Sequence, residues 1–334
     1  MQVTFFSTQP YDQRSFDSVA KRLAMQDQAE LVYQRATLSR QTVALADGSD
    51  AVCVFVNDQL DAEVLERLAD FGVKAVLLRC AGFNNVDLKA AERLGLFVAR
   101  VPAYSPEAVA EHTLALVMAL NRHTHRAYNR VREGNFMLEG LLGMTLHGKC
   151  IGIVGTGKIG LATARIFHGM GCRVLGADPS PAPAFSQYGE IVSQERLLQE
   201  ADVVSLHCPL LKPTYHMINA DSLARMKRGA MLVNTSRGGL IDTQAVVEAL
   251  KSRQLGALAI DVYEQEEPLF FEDRSADFID DDLFVRLMTF PNVLITGHQG
   301  FFTREALTEI AETTLGNLAA FIEGNECPNL VRAD

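Results

Sequence analysis

Gly155, Gly157 and Gly160 stand in the run Gly155-Thr156-Gly157-Lys158-Ile159-Gly160, spaced as G-x-G-x-x-G. The pattern is weak alone. Here it closes the apolar run Cys150–Val154 and opens a helical stretch over 161–169, which is the context that gives it meaning. Each glycine has its own task. The first permits a sharp turn, the second lets a pyrophosphate approach the backbone, and the third allows helix and strand to pack closely. The amides of Thr156, Lys158 and Ile159, at the start of the helix, then face the phosphates. Asp178 ends the next apolar run, where a carboxylate bonds ribose hydroxyls and repels a 2′-phosphate, and no arginine follows it closely. These residues call for NAD rather than NADP.

Four further positions follow apolar runs on what would be the same side of a sheet, where ligands of such folds bind. Arg237 lies in Asn234-Thr235-Ser236-Arg237-Gly238-Gly239, straight after 231–233. Asp261 ends the run 257–260, Glu266 follows among Glu264 and Glu267, and His298 comes just after 293–295. An arginine there offers a bidentate fork for a carboxylate, or polarises a carbonyl. A histidine there is a candidate proton donor near neutral pH, and a carboxylate beside it would orient the ring and favour its charged form. A lone histidine at such a place is more often structural, and a glutamate among others could be surface charge; their joint occurrence behind a nucleotide turn points to an active site.

Such residues need strand ends to hold them, and the apolar pattern supplies these. Runs at 3–6, 51–56, 75–78 and 97–99 read as strands separated by amphipathic segments at 62–71 and 88–94, which Gly72 and Gly95 end. Ser105 and Pro106 then start a long apolar helix to 121, continued by a more polar one towards 133. After Gly148 the alternation resumes at 150–154, 173–177, 203–206, 230–233, 257–260 and 293–295, six strands that make a dinucleotide-binding sheet. The acidic stretch 264–290 carries five phenylalanines without a clean period and reads as an ordered loop with one short helix. From 304 onward an amphipathic helix runs to Gly324. The expected class is α/β with parallel sheets.

Composition narrows the function. Hydrophobic residues make up 48% and charged residues 22% of the 334, as in a globular protein. The net charge of -10 gives no basic field for nucleic acid. No apolar stretch is long enough to span a membrane, and the N-terminal residues do not read as a signal peptide. Six scattered cysteines without a C-x-x-C pair read as reduced thiols of a cytoplasmic enzyme, with no metal site. His123 and His125, two apart on a helix, face different sides and do not make one either.

At the glycine turn, at 232–239 and at His298 the sequence resembles the D-isomer-specific 2-hydroxyacid dehydrogenase family, along essentially the whole chain. The resemblance implies a catalytic set of Arg237, Glu266 and His298. It also implies a Rossmann dinucleotide-binding domain (103–299) inserted in a flavodoxin-like substrate domain (1–102 and 300–334), with the active site in the cleft. Within the family the chain is similar to the branch that reduces pyruvate to D-lactate. The loop Arg79-Cys80-Ala81-Gly82 would hold the substrate carboxylate, Tyr104 would place a hydroxyl against the substrate, and Phe301 would wall the pocket. The long segment after Glu266 is similar to that branch. NAD contacts are implied for Cys208, Pro209, Thr214, Thr235, Ser236 and Asp261; Thr214 departs from the asparagine common there. A homodimer or homotetramer is expected, with the apolar helix 107–121 as a candidate dimer surface. The rival expectations are another 2-keto acid as substrate, or an NAD-sensing binding protein like the family's corepressors.

Overall fold

The structure is a computed structural model and describes residues 1–266 and 269–333, so Glu267 lies outside it. The chain divides into two compact units, Met1–Ser105 with Phe302–Asp334, and Pro106–Phe301. No helix among the described residues is long and apolar enough to cross a membrane.

In the first unit five strands alternate with helices: β1 (Gln2–Phe5), α1 (Pro10–Arg22), β2 (Glu30–Tyr33), β3 (Ala51–Val54), α2 (Ala62–Asp70), β4 (Ala75–Leu78), α3 (Leu88–Arg93) and β5 (Phe97–Arg100). The sheet is parallel in the order β2-β1-β3-β4-β5, the flavodoxin-like order. All residues of β3 and β4 are buried, because a parallel strand covered on both faces must be apolar on both. Asp61 and Asp87 cap α2 and α3, their carboxylates accepting from the amides of Val64 and Ala90. The pattern of apolar runs passes over α1 and β2. α1 buries just Asp12, Phe16, Val19 and Ala20, and β2, at the sheet edge, has no fully buried residue.

The second unit begins with α4 (Pro106–Asn121) and α5 (Thr124–Arg132), between which His123 turns to φ 53°. It continues with β6 (Cys150–Val154), α6 (Lys158–Gly169), β7 (Arg173–Ala177), β8 (Glu190–Ile191), α7 (Gln194–Glu200), β9 (Val203–Leu206), α8 (Ala220–Arg225), β10 (Ala230–Asn234), α9 (Thr243–Lys251), β11 (Leu255–Ile260), α10 (Asp282–Met288) and β12 (Val293–Ile295). The parallel sheet runs β12-β11-β10-β9-β6-β7-β8, so the order reverses between β6 and β9. It has seven strands where the sequence pattern yields six. The extra one, β8, is two exposed residues long and carries no apolar signal.

The apolar side of α4 is used within its own unit. Leu116, Val117 and Leu120 are buried in one cluster with Ile151, Ile153 and Phe167. The large exposed apolar side chains of this region lie instead on and after α5, at Tyr128, Val131, Phe136, Met137, Leu138 and Leu142. In the 264–290 segment, Phe270 and Phe284 turn into the core.

Candidate active site

The glycine turn sits at the reversal of strand order, between the ends of β6 and β9. Gly155 has φ 90°, and a Cβ on it would stand 2.5 Å from the Cys208 nitrogen. A Cβ on Gly160 would stand 2.0 Å from the Gly155 carbonyl oxygen, so helix and turn touch there. Gly157 is different: nothing lies within 4 Å of where its Cβ would be, and it caps the N-terminus of α6 with its face to solvent. That open space before unpaired helix amides fits a pyrophosphate. Thr156 is fully buried, Lys158 exposed and Ile159 half-buried, so the turn offers backbone rather than side chains.

Asp178, just past β7, ties itself to the turn. Its Oδ2 accepts from the Thr156 amide at 2.6 Å and its Oδ1 from the Ser180 amide at 2.8 Å. Among the described residues no basic side chain is ion-paired with it. A carboxylate at this place can accept from ribose hydroxyls and repels a 2′-phosphate.

The next wall follows β9 and β10. Burial pushes the Cys208 thiol up to about 11, and its Sγ contacts Met217. Thr214 spends its hydroxyl on the loop itself, donating to the Pro209 carbonyl at 2.7 Å and accepting from the Leu211 amide at 2.8 Å. Ser236 Oγ donates to the Cys208 carbonyl at 2.7 Å, and the Thr235 hydroxyl bonds that of Thr113 at 3.0 Å. Arg237 follows in extended conformation, half-buried, with Nη1 donating to the Ser236 carbonyl at 2.7 Å. Among the described residues it has no ion-pair partner. Gly238 must lack a side chain, since its Cβ would stand 2.1 Å from the Tyr263 carbonyl carbon.

Glu266 and His298 meet across two loops, with His298 Nδ1 2.9 Å from Glu266 Oε1. The other carboxylate oxygen accepts from the Tyr263 amide at 3.0 Å, and the Tyr263 hydroxyl donates to Asp281, the cap of α10. Phe271 and Phe301 flank the His298 ring at centroid distances of 5.7 and 6.4 Å. Asp261, just beyond β11, is 1% exposed. Burial alone would raise its carboxyl, but bonds from His112, Thr296 and Gln299 outweigh this and hold it below the usual carboxylate range. The sequence pattern gave no notice of His112, Thr296 or Tyr263. The signal was present for His112, a polar residue inside the apolar run of α4.

The remaining expected residues belong to the first unit. Ala81 and Gly82 are half-buried in the loop after β4, and Arg100 Nη1 donates to the Ala81 carbonyl at 2.7 Å. Tyr104 is half-buried near the end of that unit's N-terminal part. Arg79 needs a correction. Its guanidinium is 1% exposed, donates to the Ser7 carbonyl at 2.8 Å, faces Asp12 at 3.6 Å and lies over the Phe55 ring. A group so enclosed supports its loop from beneath and does not offer a fork to a ligand.

Comparison with known proteins gives the same outline. Residues 114–300 match the family model described as D-isomer specific 2-hydroxyacid dehydrogenase, NAD binding domain. The chain is 58% identical to D-lactate dehydrogenase kk1H of Curvularia clavata over 97% of its own length and 93% of that protein's. The apo structure of D-lactate dehydrogenase from Escherichia coli superposes with a TM-score of 0.90 at 49% identity, covering 99% of this chain and 100% of that one. A structure of the pyruvate reductase of Chlamydomonas reinhardtii gives a TM-score of 0.92 at 43% identity, with 98% of each chain covered.

Proposed function

This chain belongs to the D-isomer specific 2-hydroxyacid dehydrogenase family, with NAD as cofactor, and we propose that within the family it reduces pyruvate to D-lactate. The observation that carries the reading is the His298–Glu266 pair, standing on strand-end loops of the same sheet as the glycine turn. Relatives named as D-lactate dehydrogenase and pyruvate reductase support the choice of substrate.

In this reading the Arg237 fork binds the substrate carboxylate and polarises its carbonyl. Protonated His298 gives its Nε2 proton to the developing alkoxide, while Glu266 holds Nδ1 and balances the ring's charge. The cofactor, when bound, supplies the hydride. The turn 155–160 with the amides of Lys158 and Ile159, Asp178, and the loops carrying Cys208, Pro209, Thr214, Thr235, Ser236 and Asp261 would hold it. The unit Met1–Ser105 with Phe302–Asp334 takes the substrate role, through the Ala81–Gly82 amides and Tyr104, and Phe301 suits a substrate with a small methyl side chain.

We assign the protein to the cytoplasm, because all six cysteines are free and buried. A homodimer or homotetramer is proposed, and the exposed apolar residues Phe136 to Leu142 are a better surface for it than α4. The deciding experiment is NADH oxidation with a panel of 2-keto acids, followed by chiral analysis of the product. D-lactate from pyruvate, with bulkier acids, glyoxylate and hydroxypyruvate turned over more slowly, is expected. Preference for another acid would move the substrate. Tight NADH binding without any turnover would favour a sensing role.

A further inference from the structure

The loop that carries His298 closes on one carboxylate. Asp261 Oδ1 accepts from the Gln299 amide at 2.9 Å, and Oδ2 accepts from the Gly300 amide at 2.8 Å. The Asp261 carbonyl accepts from the His298 amide at 2.7 Å. These bonds hold His298 at φ 53°, a left-handed conformation that is costly for a residue with a side chain. Strain of this kind persists where its surroundings over-determine it.

The carboxylate is in turn fixed by two side chains. Thr296 Oγ1 donates to Oδ1 at 2.5 Å, and His112 Nε2 lies 3.1 Å from the same oxygen and 3.2 Å from the Thr296 hydroxyl. A Cβ on Gly300 would approach Asp261 Oδ2 to 3.1 Å and the His112 ring to 3.5 Å, so the three groups are packed together. Thr296, Gln299 and Gly300 follow β12 and Asp261 follows β11. His112 is the member that comes from a different element, the middle of α4. His112 therefore ties the carboxylate to an element outside the 296–300 loop.

We propose that His112 is a positioning residue for the proton donor: its Nε2 fixes the Asp261 carboxylate, which through the amides of Gln299 and Gly300 fixes the backbone of His298 and so the aim of its ring. The inference rests on the reading of His298 as proton donor. A donor loop released by even a small displacement loses turnover steeply, because proton transfer needs near-contact geometry.

The test compares His112→Leu, which removes the donor, with His112→Gln, whose amide nitrogen can stand close to the place of Nε2. His112→Leu should keep the fold, by circular dichroism and thermal melting, and lower kcat at least about tenfold with little change in KM for pyruvate. His112→Gln should recover kcat to within about threefold of the wild type. Wild-type turnover in a folded His112→Leu overturns the proposal, and so does a His112→Gln variant as poor as the leucine one. If the leucine variant does not fold, Thr296→Val decides: a lowered kcat at unchanged pyruvate KM supports the proposal, and an unchanged kcat overturns it. His298→Gln run in parallel separates the two levels. If it keeps its turnover, the proton-donor reading fails; if it is inactive while His112→Leu is active, the positioning role alone fails.

Discussion

His298 Nδ1 and Glu266 Oε1 are 2.9 Å apart although 32 residues separate them in the chain. One ring nitrogen is thereby committed to the carboxylate, and Nε2 is the nitrogen left for chemistry. The second carboxylate oxygen is held by the Tyr263 amide, so the glutamate cannot swing away without losing a bond.

Replacing His298 with Gln keeps a polar side chain and removes the transferable proton. We expect kcat to fall by about 10² or more, within the range for general acid catalysis, with NADH binding retained. Steady-state kinetics with pyruvate check this, and near-normal turnover would rule out the assignment.

Arg237→Lys keeps the charge and loses the fork. A lost bidentate carboxylate contact of about 1.5–3 kcal/mol corresponds to roughly 10- to 100-fold in kcat/KM. Unchanged KM and kcat for pyruvate would show that the carboxylate is gripped elsewhere.

Two glycines of the turn should respond to alanine in opposite ways. Gly157→Ala meets open space and should fold with an unchanged melting temperature, yet bind NADH more weakly because the methyl occupies the pyrophosphate's approach. Gly160→Ala would press against the Gly155 carbonyl and should lower the melting temperature, an overpacking effect of about 1–3 kcal/mol. Fluorescence titration and thermal melting of both variants separate the roles.

Asp178→Ala should relax the preference for NADH over NADPH, since the group that repels a 2′-phosphate is gone. The ratio of kcat/KM for the two cofactors reads this, and an unaltered ratio would contradict it.

His207 gives a dependence on pH. Its Nδ1 is shut from water without a partner among the described residues, and burial pushes the ring down from 6.5 to about 4. Between these values the unfolded chain binds a proton that the native one does not. Stability on this account is full above pH 6.5 and is lost as pH falls through about 4, by on the order of 3 kcal/mol. Urea unfolding of the wild type and His207→Gln should show the smaller loss in the variant; parallel curves would place the titration elsewhere.

What was legible in the residues alone was what local pattern controls. An apolar run followed by G-x-G-x-x-G can close just one kind of turn, and strand ends in a parallel sheet all lie on one side. The nucleotide turn, Asp178 and the strand-end positions of Arg237, Asp261 and His298 follow from that. Partner choice did not. Of the neighbouring glutamates, Glu264 is taken by His216 at 2.5 Å and Glu266 by His298, a division set by how the loops after β9, β11 and β12 fold back. Arg79 looks like an anion binder by type, yet Ser7, Asp12 and Phe55 enclose it. His112 reads as part of an apolar helix until α4 packs over the ends of β11 and β12 and brings its ring to Asp261. Spacing along the chain governs which residues share a strand or a helix face, whereas an ion pair or a hydrogen bond between distant loops depends on sheet order and packing, and these exist only in the folded molecule.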